Sequence, residues 1–213
     1  MKIVNNSTRT AFRILAAISA FLPLHEASAH LIPGEKVPHS HLQGFLSGLA
    51  HPLTGLDHLA FVIAIGLLSL RLSRGMVIPV FFLLAALAGT GLHLMSVSLP
   101  GSEIAVAISV ILSGLLLALP IRLPLLGLAS MVGLAGIAHG YAYSASIAGA
   151  GSQTMVAYLI GLVGMQMALV LMIRYLGKNV FVLKVTYPET FHRVLGLGVG
   201  SVGLVFLVLA RGY

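Results

Sequence analysis

Apolar residues dominate the chain in long uninterrupted runs. After a polar stretch at 30–43, six of them follow, at about 44–70, 76–97, 103–119, 123–145, 154–176 and 193–210. The runs are continuously apolar and do not alternate, and most are close to the ~20 residues that a helix needs to cross a bilayer. In hydrocarbon every backbone N–H and C=O must be paired internally, which leaves helices or closed barrels. Continuous runs select helices. The expected fold class is all-α, a polytopic transmembrane helix bundle with six spans.

Ahead of these runs stands a secretory signal pattern. Lys2, Arg9 and Arg13 form a basic region, 11–24 is apolar, and Ala27-Ser28-Ala29 gives a small-residue cleavage site. The expected organisation is a signal peptide at 1–29, an extracytoplasmic histidine-containing segment at 30–43 and a six-helix membrane domain at 44–213. Pro33, Gly34 and Pro38 make the middle segment a loop.

Charge then orients the spans. A cleaved signal leaves the N-terminus outside, and six crossings return the C-terminus there. The inner loops hold Arg71, Arg74, Arg122, Arg174, Lys178, Lys184 and Arg193, against Lys36 and Arg211 outside. This is the positive-inside bias of a bacterial inner-membrane protein.

Composition adds exclusions. With 58% hydrophobic and 8% charged residues, no water-facing surface can be covered, so the lipid bilayer is the solvent. The formal charge of +7 is spread between spans with no basic face, which argues against nucleic acid. Cysteine is absent, so disulfides and thiolate metal sites are excluded. No Walker-type phosphate loop is present. The 24 glycines, many within spans, signal close helix packing, and homo-oligomerisation stays open.

The chemistry lies in a short set of ionisable groups at membrane depth, where each costs roughly 2.5–3.5 kcal/mol on insertion scales. They are His51, Asp57, His58, His93, Glu103 and His139. The predicted topology puts all of them in the middle or outer half of their spans, on four different helices. His51 and His58 share a helix face, but in a straight helix their Cα atoms would be about 10 Å apart. Pro52 and Gly55 lie between them, and a bend there would bring both imidazoles to one ion. Without a bend they would be successive sites. Asp57 is either a direct ligand or a partner that orients an imidazole. In the polar segment, His30, His39 and His41 are candidates for auxiliary metal capture, with the free amine of His30 after cleavage.

The stretch His51-Pro-Leu-Thr-Gly-Leu-Asp57-His58 resembles the first-span motif H-P-x-x-G-x-D-H of the HupE/UreJ family of nickel/cobalt permeases. The third-span pattern Glu103-Ile-Ala-Val-Ala-Ile-Ser109 and the fourth-span His139-Gly140-Tyr141-Ala142 also resemble that family, and the likeness covers nearly the whole chain. It implies facilitated or secondary transport of Ni²⁺, or Co²⁺, toward the cytoplasm, with an indirect link to hydrogenase or urease maturation. The metal is then cargo, and no permanently bound cofactor is expected. His51, Asp57, His58 and Glu103 would handle the ion, with His139. One departure stands out. Many members continue the fourth-span motif as A-H-G-x-E, and Tyr143 and Ser146 occupy the histidine and glutamate positions here.

Imidazole ligates only when neutral, so transport is expected to fall in acid. The leading alternative is an intramembrane zinc-dependent hydrolase with Asp57 or Glu103 as general base, although no H-E-x-x-H pairing exists. A haem-binding electron-transfer subunit with His58, His93 and His139 as axial ligands, and a purely structural anchor, complete the alternatives.

Overall fold

The computed structural model describes residues 37–181 and 188–210. The signal peptide, His30, Lys36, Lys184 and Arg211 lie outside the described residues. The fold is all-helical. Seven α-helices are described: α1 (His41–Thr54), α2 (Leu56–Leu68), α3 (Val77–Leu94), α4 (Ser102–Ala118), α5 (Leu125–Ser144), α6 (Ser152–Leu176) and α7 (Pro188–Leu209). The helices α3, α5, α6 and α7 are long and apolar enough to cross a bilayer. The bent α1–α2 pair makes a fifth candidate span, and α4 is a shorter apolar helix. Leu126 and Leu134 on α5 are 79% and 73% exposed, an outward apolar surface suited to lipid. The chain is a membrane protein.

The first apolar run is broken, as its proline and glycine predict, but the break falls at the glycine. Pro52 is buried within α1, and Gly55 is extended at φ −80°, ψ 103°. The axes of α1 and α2 diverge by 76°. The Gly55 N–H still donates to His51 O at 3.2 Å, and its carbonyl accepts from Leu59 N at 2.8 Å. Gly55 thus closes one helix and opens the next. At the other end of α1, Ser40 Oγ accepts from Gln43 N at 3.2 Å and caps the first turn.

Glycines set the packing, in three helix pairs. On α1, side chains at Gly44 and Gly48 would run into the Thr154 and Tyr158 backbones of α6. Between α3 and α5, a Cβ at Gly136 would lie 2.8 Å from Phe82 O, and one at Gly140 would overlap Ala86 O. Gly114 of α4 meets Gly196 and Gly200 of α7, where a Cβ would stand 2.6 Å from Gly196 O. In lipid, where apolar contact alone gives little selectivity, this backbone approach is the main source of helix affinity. Residue numbers rise together in the first two pairs and oppose in the third. Hence α1 and α6 are parallel, α3 and α5 are parallel, and α4 and α7 are antiparallel.

Despite its bend, the α1–α2 unit runs along the whole of α6. Gly44 meets Thr154, Gly48 meets Tyr158, and Gly66 meets Ile173. From Thr154 to Ile173 is about 28 Å of helix, close to the ~30 Å hydrocarbon thickness. Helix α2 is the axis of the bundle. It packs on α4, α6 and α7, and Phe61, Val62, Ala64 and Ile65 are fully buried. A helix apolar all round belongs in such a position. At its far end, Arg71 donates to Leu116 O (2.6 Å) and Leu117 O (2.9 Å), satisfying the last carbonyls of α4.

Candidate functional site

The break at Gly55 does more than turn the chain. A side chain at this position would lie 2.7 Å from His58 Cδ2. Glycine leaves the space into which the His58 ring folds. The His51 and His58 rings, on opposite sides of the break, come to 5.6 Å between centroids. The 76° bend therefore does what a straight helix could not.

His139 reaches the same place from the last turns of α5. Its Nδ1 lies 3.0 Å from His58 Nδ1. Both rings are buried, at 0% and 3% exposure. His139 Nε2 lies 3.0 Å from Ser109 Oγ on α4, and Ser109 donates to Val106 O at 2.6 Å. Phe61 and Phe82 wall His139, with ring centroids at 4.4 and 5.7 Å. Three imidazoles from three helices thus form a polar island in an apolar core.

Asp57 occupies the first turn of α2 and is 6% exposed. Its Oδ1 accepts from His58 N at 2.9 Å, which satisfies an otherwise orphaned donor at the helix start. The same oxygen is 4.0 Å from His58 Nδ1. The carboxylate is thereby held beside the imidazole island.

Tyr143 lies one turn beyond His139, at the position of the family's histidine. It is fully buried, and its ring is 4.5 Å from His58 and 5.3 Å from His51. Its hydroxyl accepts from Gln166 Nε2 at 2.7 Å. Ser146, at the position of the family's glutamate, places Oγ 3.5 Å from His51 Nδ1 and 3.0 Å from the Tyr158 hydroxyl. Both departures from the motif therefore fall inside the island.

The other candidates stand apart from it. His93 meets the Tyr141 ring edge to face at 4.5 Å, with Nδ1 buried and unpartnered. Glu103 is exposed in the first turn of α4. His41 Nε2 meets Gln153 Oε1 at 2.8 Å on the surface, and the backbone N–H of His39 donates to Gln43 Oε1 at 3.0 Å. Among the described residues, no three histidine or acidic side chains converge on one ion position.

Ser109, Tyr158 and Gln166 escape a search for charged groups. Gln166 carried a usable signal, since it is the one polar side chain from Leu159 to Ile173. Tyr158 and Ser109 carried none, because a tyrosine or serine in a span is ordinarily packing.

Comparison with known proteins places the sequence in a family. No solved structure matches the chain. Protein HupE of Rhizobium leguminosarum bv. viciae is 33% identical over 105 residues, which are 48% of this chain and 55% of the relative. The chain thus spans about half the length of this curated relative in the match. The family described as HupE / UreJ protein matches residues 18–206. With its first-span motif at the centre of the island, the chain belongs to the HupE / UreJ family.

Proposed function

We propose that this chain is a permease that carries a divalent transition metal ion, Ni²⁺ or Co²⁺, from the extracytoplasmic side of a bacterial inner membrane to the cytoplasm, for hydrogenase or urease maturation. The observation that carries the reading is the His58–His139 pair, with His51 and Asp57 beside it. Buried imidazoles on separate helices are costly as packing, and here two nitrogens face each other at 3.0 Å. At a metal–nitrogen distance of about 2.1 Å, adjacent ligands of an octahedral or square-planar ion are about 3.0 Å apart, and those of a tetrahedral ion about 3.4 Å. The pair, hydrogen-bonded at 3.0 Å, already stands close to the separation that two ligands of one ion require. A two-imidazole station with Asp57 nearby also suits transport, where an ion must bind and still leave.

The topology is part of the proposal. Six crossings with both termini outside require α1, α4 and α6 to run inward and α3, α5 and α7 outward. The parallel and antiparallel pairs observed are those that this arrangement requires. The run of α1–α2 along about 28 Å of α6 supports a broken crossing over a re-entrant loop. His51, His58 and His139 then lie toward the outer side. The hydrolase alternative gains no support, since Asp57 is held by the His58 backbone.

The test is ⁶³Ni²⁺ uptake into cells expressing the chain, with Asp57→Asn and His58→Ala variants at equal protein level and Co²⁺ and Zn²⁺ as competitors. Uptake lost in both variants is the expected result. No uptake of any of the three ions by the wild-type chain would overturn the reading.

A further inference from the structure

Ser109 carries a consequence for the direction of every hydrogen bond in the island. Its Oγ, in a side chain 5% exposed, lies 2.6 Å from Val106 O and 3.0 Å from His139 Nε2. A hydroxyl has one proton and a carbonyl has none. Two oxygens at 2.6 Å hold that proton between them. Ser109 therefore donates to Val106 O and offers His139 only a lone pair. His139 Nε2 must supply the proton of that contact. A neutral imidazole carries one N–H, so His139 Nδ1 is bare. It faces His58 Nδ1 at 3.0 Å, and the proton of this second contact belongs to His58.

We infer that Ser109 is a positioning residue for cation passage: its hydroxyl holds His139 with Nε2 protonated and Nδ1 bare, so that the nitrogen turned toward His58 is ready to ligate a divalent cation. The inference rests on the permease reading above. The entering ion replaces a single proton. The His58 Nδ1–H bond breaks, bonds form from the metal to both Nδ1 atoms, and the proton is taken up by the lone pair that Nε2 of His58 carries in this tautomer. The charge of the protein is unchanged. The rings around His139, those of Phe61, Phe82 and Tyr143, offer no comparable acceptor for Nε2–H. Without the hydroxyl the ring is free to carry its proton on Nδ1. That proton would then stand between the two rings in place of the His58 proton, and its only other seat, Nε2 of His139, would have lost its acceptor.

The tautomer can be read without metal. The full chain, ¹⁵N-labelled at histidine, is placed in lipid nanodiscs, and the ring nitrogens of His139 are observed in the wild type, Ser109→Ala and Ser109→Thr. The expected result is protonated Nε2 with bare Nδ1 in the wild type and in Ser109→Thr, and a mixture or a reversal in Ser109→Ala. In cells, ⁶³Ni²⁺ uptake is expected to fall about tenfold in Ser109→Ala and to return within about twofold of wild type in Ser109→Thr. A wild-type His139 protonated at Nδ1 overturns the inference, as does a Ser109→Ala tautomer unchanged from wild type. If Ser109→Ala fails to accumulate, the wild-type and Ser109→Thr spectra decide alone. A wild type with the expected tautomer but no uptake overturns the permease reading and the positioning role with it. The spectrum would still show the hydrogen-bond direction to be right.

Discussion

Replacing Gly55 with alanine tests whether the helix break serves the histidines or merely turns the chain. The backbone there, φ −80° and ψ 103°, is open to any residue, so the new methyl causes no dihedral strain. Its effect is a collision, because the Cβ would lie 2.7 Å from His58 Cδ2. Carbon atoms sit best at about 3.5–4.0 Å, so the ring has to retreat by roughly 1 Å. The His58–His139 contact at 3.0 Å then lengthens beyond hydrogen-bond range. Loss of a buried hydrogen bond costs about 1–3 kcal/mol, while the stiffer unfolded chain returns about 0.4–1 kcal/mol. Net stability should fall by no more than about 2.6 kcal/mol. Function should suffer more, since a 1 Å misplacement at a site can cost about 100-fold. The assay is ⁶³Ni²⁺ uptake at matched protein level, with thermal unfolding in detergent beside it. A loss of about 10–100-fold in uptake is expected, and no further loss when Gly55→Ala is added to His58→Ala. Uptake within twofold of wild type in the single variant would refute the reasoning.

Two further outcomes follow from the packing. Tyr143→Phe leaves the Gln166 amide without its partner at full burial, which should cost about 1–3 kcal/mol and lower the unfolding temperature by several degrees in a thermal scan. An unchanged midpoint would mean that the amide finds another partner. Gly48→Leu drives a side chain into the Tyr158 backbone and should abolish accumulation of folded protein, whereas Gly164→Leu, where a side chain meets open space, should accumulate normally. Quantitative membrane immunoblots with size-exclusion profiles separate the two, and equal accumulation would remove the α1–α6 glycine contact from the account of the fold.

The elements of this fold follow from hydrophobicity, because lipid forces each apolar run into a helix. Their pairing does not. Gly44 and Gly48 announce a close approach, but only the structure shows that the approach is to α6, a hundred residues later. The break at Gly55 was legible in kind, and its angle was not, since 76° depends on how α2 is seated between α4, α6 and α7. Within the site, His51, Asp57, His58 and His139 stood out because charge at membrane depth is costly. His93 and Glu103 stood out for the same reason, yet lie elsewhere, since depth alone says nothing about which face of a helix meets which neighbour. Ser109 and Tyr158 were illegible because hydroxyls are cheap in a helix and become informative only through what they touch.

The exchange at Ser146 gives the sharpest statement about cargo handling. Ser146 Oγ is 3.5 Å from His51 Nδ1, so a glutamate at this position would bring a carboxylate to the edge of the island. Among the described residues Asp57 is the one carboxylate beside the three imidazoles, and a divalent ion entering there is only half neutralised. Two unit charges 4 Å apart at an effective dielectric of 20 attract by about 4 kcal/mol, and twice that for a divalent ion. Desolvation of the new carboxylate offsets much of this. A net gain of about 1.4–3 kcal/mol is a reasonable remainder, or about 10–150-fold in affinity. The same gain deepens the well from which the ion must escape. Ser146→Glu should therefore lower the uptake KM for Ni²⁺ and lower the maximal rate with it, because release becomes slower. Concentration-dependent ⁶³Ni²⁺ uptake with isothermal titration of the purified variant measures both. An unchanged KM and affinity in a correctly folded Ser146→Glu chain would show that the ion never approaches His51, and that the station lies deeper, between His58 and His139 alone.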